Sequence, residues 1–235
     1  MRNTAITATL CAVILLMANI ARAAETLRVV ELFTSQSCSS CPAADKVLEK
    51  LAAEENTIAL ACHVTYWNHL QWRDPLSQQF CTSRQTGYAT LLPGRSIFTP
   101  QIVVNGTQGF IGSHEYEVTR ALKNATPVIR IPMRRGQDGS VGITLPDIGT
   151  DAPLTLWLFG MKNRHTQSIP SGENAGRTIT YINTATFVQK SEDWDGRPAQ
   201  RQLTLPADQE ADRLILLVQK DRFGAIIAAG QIDLQ

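Results

Sequence analysis

Apolar positions fall into two patterns along the chain, and the change comes near residue 125. Before it, continuous apolar runs at 27–33 and 58–64 have the length and texture of strands buried on both faces. Between them, residues 42–54 carry Val47, Leu48 and Leu51 at helical spacing, which predicts an amphipathic helix. Residues 76–92 predict a second helix, opened by Asp74-Pro75 and stopped by Pro93-Gly94. Gln101–Val104 and Gln108–Ile111 flank Asn105-Gly106, a hairpin signal, and Ser113 precedes a last helix at 115–123. Buried strands alternating with helices predict an α/β domain, with the second strand laid parallel beside the first.

From Ala125 onward the runs are short, alternating or apolar, at 128–133, 141–145, 154–161, 177–182, 202–205, 214–219 and 225–232. Turn residues separate them, as in Gly136-Gln137-Asp138-Gly139, Ser171-Gly172-Glu173-Asn174 and Asp195-Gly196. Strands at this spacing with no convincing helix predict an antiparallel β-sandwich. The expected organisation is an α/β domain over 24–124 and a β-sandwich over 125–235. His165 reads as an isolated residue of a polar loop, and nothing in this half has nucleophile, metal or phosphate-loop spacing.

The first 23 residues have a different origin. Arg2 precedes an uncharged apolar run at 5–20, which closes on Ala21-Arg22-Ala23, a small-x-small cleavage pattern. The run is too short to span a bilayer comfortably, and Cys11 has no small residue directly before it, as a lipid-anchored start would require. A cleaved signal peptide (1–23) is expected, with Ala24 as the mature N-terminus, no membrane association after cleavage, and a periplasmic or secreted location. Loss of Arg2 and Arg22 turns the formal charge of +1 into −1. Near-neutral charge argues against a nucleic-acid or polyanion partner.

Charge leaves the cysteines as the chemistry to weigh. The mature chain keeps four: Cys38, Cys41, Cys62 and Cys81. An even number in an exported protein favours pairing. Cys38-Ser39-Ser40-Cys41 stands between the first strand and the first helix, so the strand delivers two cysteines onto a helix N-terminus. Unpaired N–H groups and a partial positive charge there stabilise a thiolate and can lower a thiol pKa from ~8.5 to roughly 3.5–7.5. Cys38 is the candidate nucleophile and Cys41 the candidate resolving thiol of a dithiol–disulfide site. The same spacing also suits half a metal site or a short structural disulfide. For Cys62 and Cys81 two readings stand: a structural disulfide, or a buried free Cys62 acting as a small apolar residue beside a free Cys81.

Strand, Cys-x-x-Cys, helix, then Thr99-Pro100 running into a hairpin resembles the thioredoxin superfamily. Val30-Glu31-Leu32-Phe33-Thr34-Ser35, Cys38 to Asp45, Tyr66-Trp67 and Gly172-Glu173-Asn174 resemble, within it, the secreted DUF1223 family. The resemblance implies a thioredoxin-like fold for 24–124, with Pro100 cis and facing the Cys38–Cys41 pair, and with Thr99 pairing its backbone to an extended substrate. It also implies a buried carboxylate as proton acceptor for the resolving cysteine, for which Glu31 is the candidate. Tyr66 and Trp67, with His69 and Trp72 nearby, either rim a surface for unfolded polypeptide or pack inward. The family pattern has acids where this chain has Thr65 and Asn68, so a role resting on those acids is not carried over. The function expected is an exported thiol–disulfide oxidoreductase acting on protein disulfides with a partner dithiol protein and no cofactor. The alternatives are a copper-handling protein using the two thiolates, or a non-catalytic interaction module with an inert Cys38–Cys41 disulfide.

Overall fold

Alternation along the first strand sets the layout of everything around it. In β1 (Arg28–Thr34), Val30 and Leu32 pack with Val47, Leu48 and Leu51 of α1 (Cys41–Ala52). Val29 and Phe33 face the other way, into a second cluster with Tyr88 of α2 (Gln79–Ala89). The strand is therefore covered by a helix on each face, as its unbroken apolar run requires. β2 (Thr57–His63) lies parallel to β1, from Arg28 opposite Thr57 to Thr34 opposite His63. β3 (Gln101–Val104) pairs antiparallel with the other side of β1, and β4 (Gln108–Ile111) returns along β3. Asn105 and Gly106 turn that hairpin with φ of 45° and 68°, conformations these residue types tolerate best. Helix α3 (Glu115–Asn124) closes this half, with Val118, Ala121 and Leu122 buried beside α1.

The computed structural model describes residues 27–150, 152–191, 193–206 and 210–234. The signal peptide expected at 1–23 and its cleavage site lie outside the described residues. Among the described residues no helix is long and apolar enough to cross a membrane.

The second half continues the first sheet instead of standing apart from it. Its strands are β5 (Ile129–Arg130), β6 (Met133–Arg135), β7 (Val141–Leu145), β8 (Leu154–Ser168), β9 (Thr178–Lys190), β10 (Ala199–Leu203), β11 (Arg213–Lys220) and β12 (Ile226–Asp233). One mixed sheet runs β4-β3-β1-β2-β9-β8-β11-β12-β5, and a smaller antiparallel sheet runs β10-β7-β6. The small sheet packs Val141, Ile143, Leu145 and Leu203 onto Leu156, Leu158, Leu216 and Val218 of the large one. The two halves join where β9 meets β2, through Ala61 opposite Thr184 and the Asn183 side chain donating to the Ala59 carbonyl at 3.0 Å.

Several boundaries differ from the sequence reading, each for a local reason. Pro132 splits the run at 128–133 into β5 and β6. Helix α2 starts at Gln79 instead of 76, because Asp74 accepts the Leu76 N–H in a turn of its own at 2.8 Å. β8 and β9 run far beyond 161 and 182, so His165 sits within a strand, opposite Tyr181. β11 stops pairing with β8 at Met161, so the distal part of β8 pairs with β9 alone. That two-stranded ribbon carries its tip, residues 169–177, to the end of the sheet where Cys38 lies.

Candidate functional site

β1 ends at Thr34, and a tight loop carries the chain into α1. The Cys38 N–H donates to the Ser35 carbonyl and the Cys41 N–H to the Cys38 carbonyl, both at 3.2 Å. Ser40 is the N-cap and makes no side-chain cap hydrogen bond; Pro42 occupies the first turn, where its missing N–H costs nothing. Cys38 and Cys41 are joined in a disulfide across this turn. Cys41 is fully buried, and Cys38 is 4% exposed with its Sγ 3.4 Å from the Ser40 hydroxyl.

Pro100 comes up beside this loop. The Thr99–Pro100 peptide bond is cis, and the next residue, Gln101, stands opposite Phe33 on β1, which brings Pro100 level with the start of the cysteine loop. Gly112 lies between Pro100 and α1: a Cβ there would sit 2.9 Å from the Ala44 Cβ and 3.3 Å from that of Pro100. Thr99 accepts the Trp67 indole N–H at 2.7 Å. The Tyr66 hydroxyl is buried without a hydrogen-bond partner among the described residues, and burial pushes its pKa up to about 12. Tyr66 and Trp67 are half-buried against the core cluster of β1 and α2, while His69 and Leu70 are exposed. Trp72 donates to the Gln36 side-chain carbonyl at 2.9 Å, and its own backbone carbonyl accepts the Ser37 hydroxyl at 2.5 Å. The 66–74 segment is thereby stitched to both the cysteine loop and Thr99.

The ribbon tip completes the enclosure. Asn174 is buried, and its amide donates to the carbonyls of Gln36 and Cys38, each at 2.9 Å. Arg177 donates to the Asn174 carbonyl oxygen at 3.0 Å, fixing the amide's orientation. The Glu173 carboxylate accepts the Ser39 N–H at 3.0 Å, and Ser171 donates to the Gln71 carbonyl at 3.1 Å. A cleft of about 560 Å³ opens beside it, lined by Ser37, His69, Leu70, Gln71, Gly172 and Glu173.

Glu31 is not at this site. It alternates with Val30 and Leu32, so it projects away from α1, toward α2. There it accepts hydrogen bonds from Arg84, at 3.0 Å for Nη2, and from the Tyr88 hydroxyl. Gln219 of β11 closes the network, accepting from Arg84 and donating to Tyr88, both at 3.0 Å. Glu31 and Arg84 are buried as a pair. The strand phase that buries Val30 against the helix excludes Glu31 from that side.

Other acidic groups take the α1 side. Asp45 lies one helical turn beyond Cys41 and accepts the Thr34 hydroxyl at 3.0 Å. Burial pushes its pKa up to about 7, against the nearby charge of His63. His63, level with Thr34 by strand register, is fully buried and bonds Asp74 through Nδ1 at 2.7 Å. Burial pulls the His63 pKa down, but the Asp74 and Asp45 charges outweigh it, so His63 is easier to protonate than usual. Asp74 is held below the usual carboxylate range: burial opposes this, and His63 and the Gln36 and Leu76 N–H groups outweigh burial. The Tyr181 ring from the ribbon meets His63 edge-on at 4.9 Å. In the sequence Glu31 and not Asp45 stands out as the candidate acid, although the spacing of four residues from Cys41 is a signal for Asp45; no local signal announces the arrival of His63 and Asp74 beside it. Among the described residues no three or more His, Cys, Asp and Glu side chains are arranged to hold a metal ion.

Cys62 and Cys81 form the second disulfide, tying β2 to α2 inside the core, with both residues fully buried. Pairing there leaves Cys38–Cys41 as a separate disulfide.

The chain is similar to two solved structures. Protein AGR_C_4864 from Agrobacterium tumefaciens matches with a TM-score of 0.77 at 26% identity, over 90% of this chain and 96% of that one. HBP35 of Porphyromonas gingivalis shares the fold with a TM-score of 0.58 at 16% identity, over 89% of this chain and 75% of that one. No curated protein matches. Residues 29–219, from β1 through β11, match a family described as a protein of unknown function, DUF1223, and the chain belongs to that family.

Proposed function

We propose that this protein is an exported, thioredoxin-like thiol–disulfide oxidoreductase working through Cys38 and Cys41. The observation that carries this reading is the Cys38–Cys41 disulfide on the first turn of α1, with Pro100 packed across Gly112 from the same helix. The order β4-β3-β1-β2, with α1 between the parallel β1 and β2, supports a thioredoxin-like first half. Two disulfides and the apolar leader at 1–23 support export.

In the oxidised form a substrate thiolate attacks the Cys38 Sγ; the Cys38–Cys41 bond breaks, Cys41 leaves as a thiolate, and a mixed disulfide forms. A second substrate thiolate then attacks the substrate sulfur of that mixed disulfide and displaces Cys38, so two electrons pass to the protein. The reverse sequence reduces a substrate disulfide, with Cys41 resolving the mixed disulfide. Helix polarity stabilises the Cys38 thiolate in either direction. Asp45, on the Cys41 face of α1 and with a pKa near neutrality, takes or returns the Cys41 proton. Thr99 and Pro100 position an extended substrate, and Tyr66 and Trp67 support that wall from behind. The partners are protein thiols or disulfides and a second dithiol protein that resets the pair; the reading needs no organic cofactor.

The test is the Cys38 thiolate titration in the mature protein from Ala24, coupled to equilibration of its disulfide against glutathione and dithiothreitol. A thiol pKa well below ~8.5 and a potential within about −270 to −120 mV support the reading. An ordinary pKa with a disulfide that resists both reductants would make Cys38–Cys41 a structural staple.

A further inference from the structure

The Gly172-Glu173-Asn174 tip reaches the cysteine loop from the far half of the chain, yet the thiol chemistry alone gives it no task. Its two polar side chains do different things. Asn174 is buried and neutral, and it ties down the carbonyls of Gln36 and Cys38. Glu173 is exposed and brings a full negative charge to the Ser39 N–H, between the two cysteines. That N–H is next to Cys38 and one residue ahead of the N-cap Ser40, where its dipole adds to the positive field of the helix mouth that would stabilise a Cys38 thiolate.

We propose that Glu173 is a positioning residue that sets the redox balance of the pair: its carboxylate holds the Ser39 N–H, offsets the helix field, and disfavours the Cys38 thiolate. This rests on Cys38 acting as the thiol nucleophile. Charge at that point acts unequally on the two redox states. The disulfide is neutral and tolerates Glu173, whereas the reduced form places a thiolate beside it. Glu173 therefore biases the pair toward the disulfide and makes the dithiol the better reductant. Other charged or titratable groups around the mouth are Arg177, which holds Asn174, Arg73 and His69 on the 66–74 segment, and Asp45, His63 and Asp74 beneath. Substitution at Glu173 leaves all of them in place.

The experiment uses the mature protein and two variants, Glu173→Gln, which keeps an acceptor for Ser39, and Glu173→Lys, which inverts the charge. Cys38 pKa is read by thiolate absorbance, and the disulfide equilibrium is read against glutathione. Glu173→Gln is expected to lower the pKa by about half a unit and to favour the dithiol about threefold, which is ~14 mV at 29.6 mV per tenfold. Glu173→Lys is expected to move both further the same way, and about 1 M salt to shrink the differences at this exposed site. Equal pKa and potential in all three proteins would overturn the role of Glu173. A shift in Glu173→Gln that Glu173→Lys fails to extend would also overturn it, by tracing the effect to the hydrogen bond. The pKa series reads the charge of Glu173 even if wild-type Cys38–Cys41 resists glutathione, an outcome that counts against the oxidoreductase reading instead.

Discussion

Glu31→Gln separates a structural carboxylate from a chemical one. Glu31 and Arg84 are respectively 0% and 3% exposed, so the guanidinium has no water to fall back on. Glu31 takes hydrogen bonds from Arg84 on both its oxygens, and Gln219 and Tyr88 complete the set. Unit charges ~3 Å apart attract by about 5 kcal/mol at an effective dielectric of ~20. Removing one member of such a buried pair, and leaving the other charge uncompensated, costs roughly 3–5 kcal/mol. The Arg84 guanidinium also lies 5.1, 5.6 and 5.1 Å from the ring centres of Tyr88, Trp157 and Phe159, contacts that survive the substitution. The expected loss is therefore near the lower bound, about 3 kcal/mol, measured by urea unfolding with both disulfides intact. The thiol-exchange rate of the folded variant is expected to stay within about twofold of wild type, since Glu31 faces away from α1. Pairing Glu31→Gln with Arg84→Met should return much of the lost stability by removing the stranded charge. A single-variant loss below about 1 kcal/mol, or an exchange rate that falls tenfold, would refute the reasoning.

Other expectations follow from neighbouring features. Asp45 holds a proton in the folded protein between its ordinary value of 3.8 and about 7, so its contribution to stability falls as pH rises through that window; Asp45→Asn should flatten that part of a stability–pH curve obtained by chemical denaturation. Replacing Cys62 and Cys81 together by Ala opens a link spanning 19 residues, which should cost about 3 kcal/mol in reductant-free unfolding. A Cβ at Gly160 would lie 2.0 Å from the Phe187 ring, so Gly160→Ala should lose about 1–3 kcal/mol, read as a lower Tm.

What the sequence made legible was whatever a single element decides. The apolar runs of β1 and β2 are buried on both faces, so their identity as central strands is written in consecutive residues. Cys38 and Cys41 sit where a strand gives way to a helix, so their placement needs only local pattern. Thr99-Pro100 is equally local. Proximity along the chain suggests that Glu31 lies near Cys41, whereas strand phase sends it to the opposite face. His63, Asp74 and Asp45 come from three different elements, and only parallel register and the turn at 74–76 assemble them. The apolar pattern marks only part of β8 and β9, because their distal halves form a ribbon with polar residues such as Lys162, Arg164 and Thr180, which blurs the alternation that marks a half-buried strand. Without that ribbon length, the convergence of Glu173 and Asn174 on the cysteine loop could not be anticipated.

The seam between β2 and β9 governs how the protein can be divided. β2 is a seven-residue strand with every position buried, and on its outer side β9 supplies the cover. A fragment ending at Asn124 would keep the cysteines, Thr99 and Pro100, yet leave the backbone edge of β2, along Ile58, Leu60 and Cys62, open to pairing with another chain. Self-association of such a fragment, read by size-exclusion chromatography, is the expected consequence of severing that seam, because in the intact protein β9 of the far half shields the outer edge of β2.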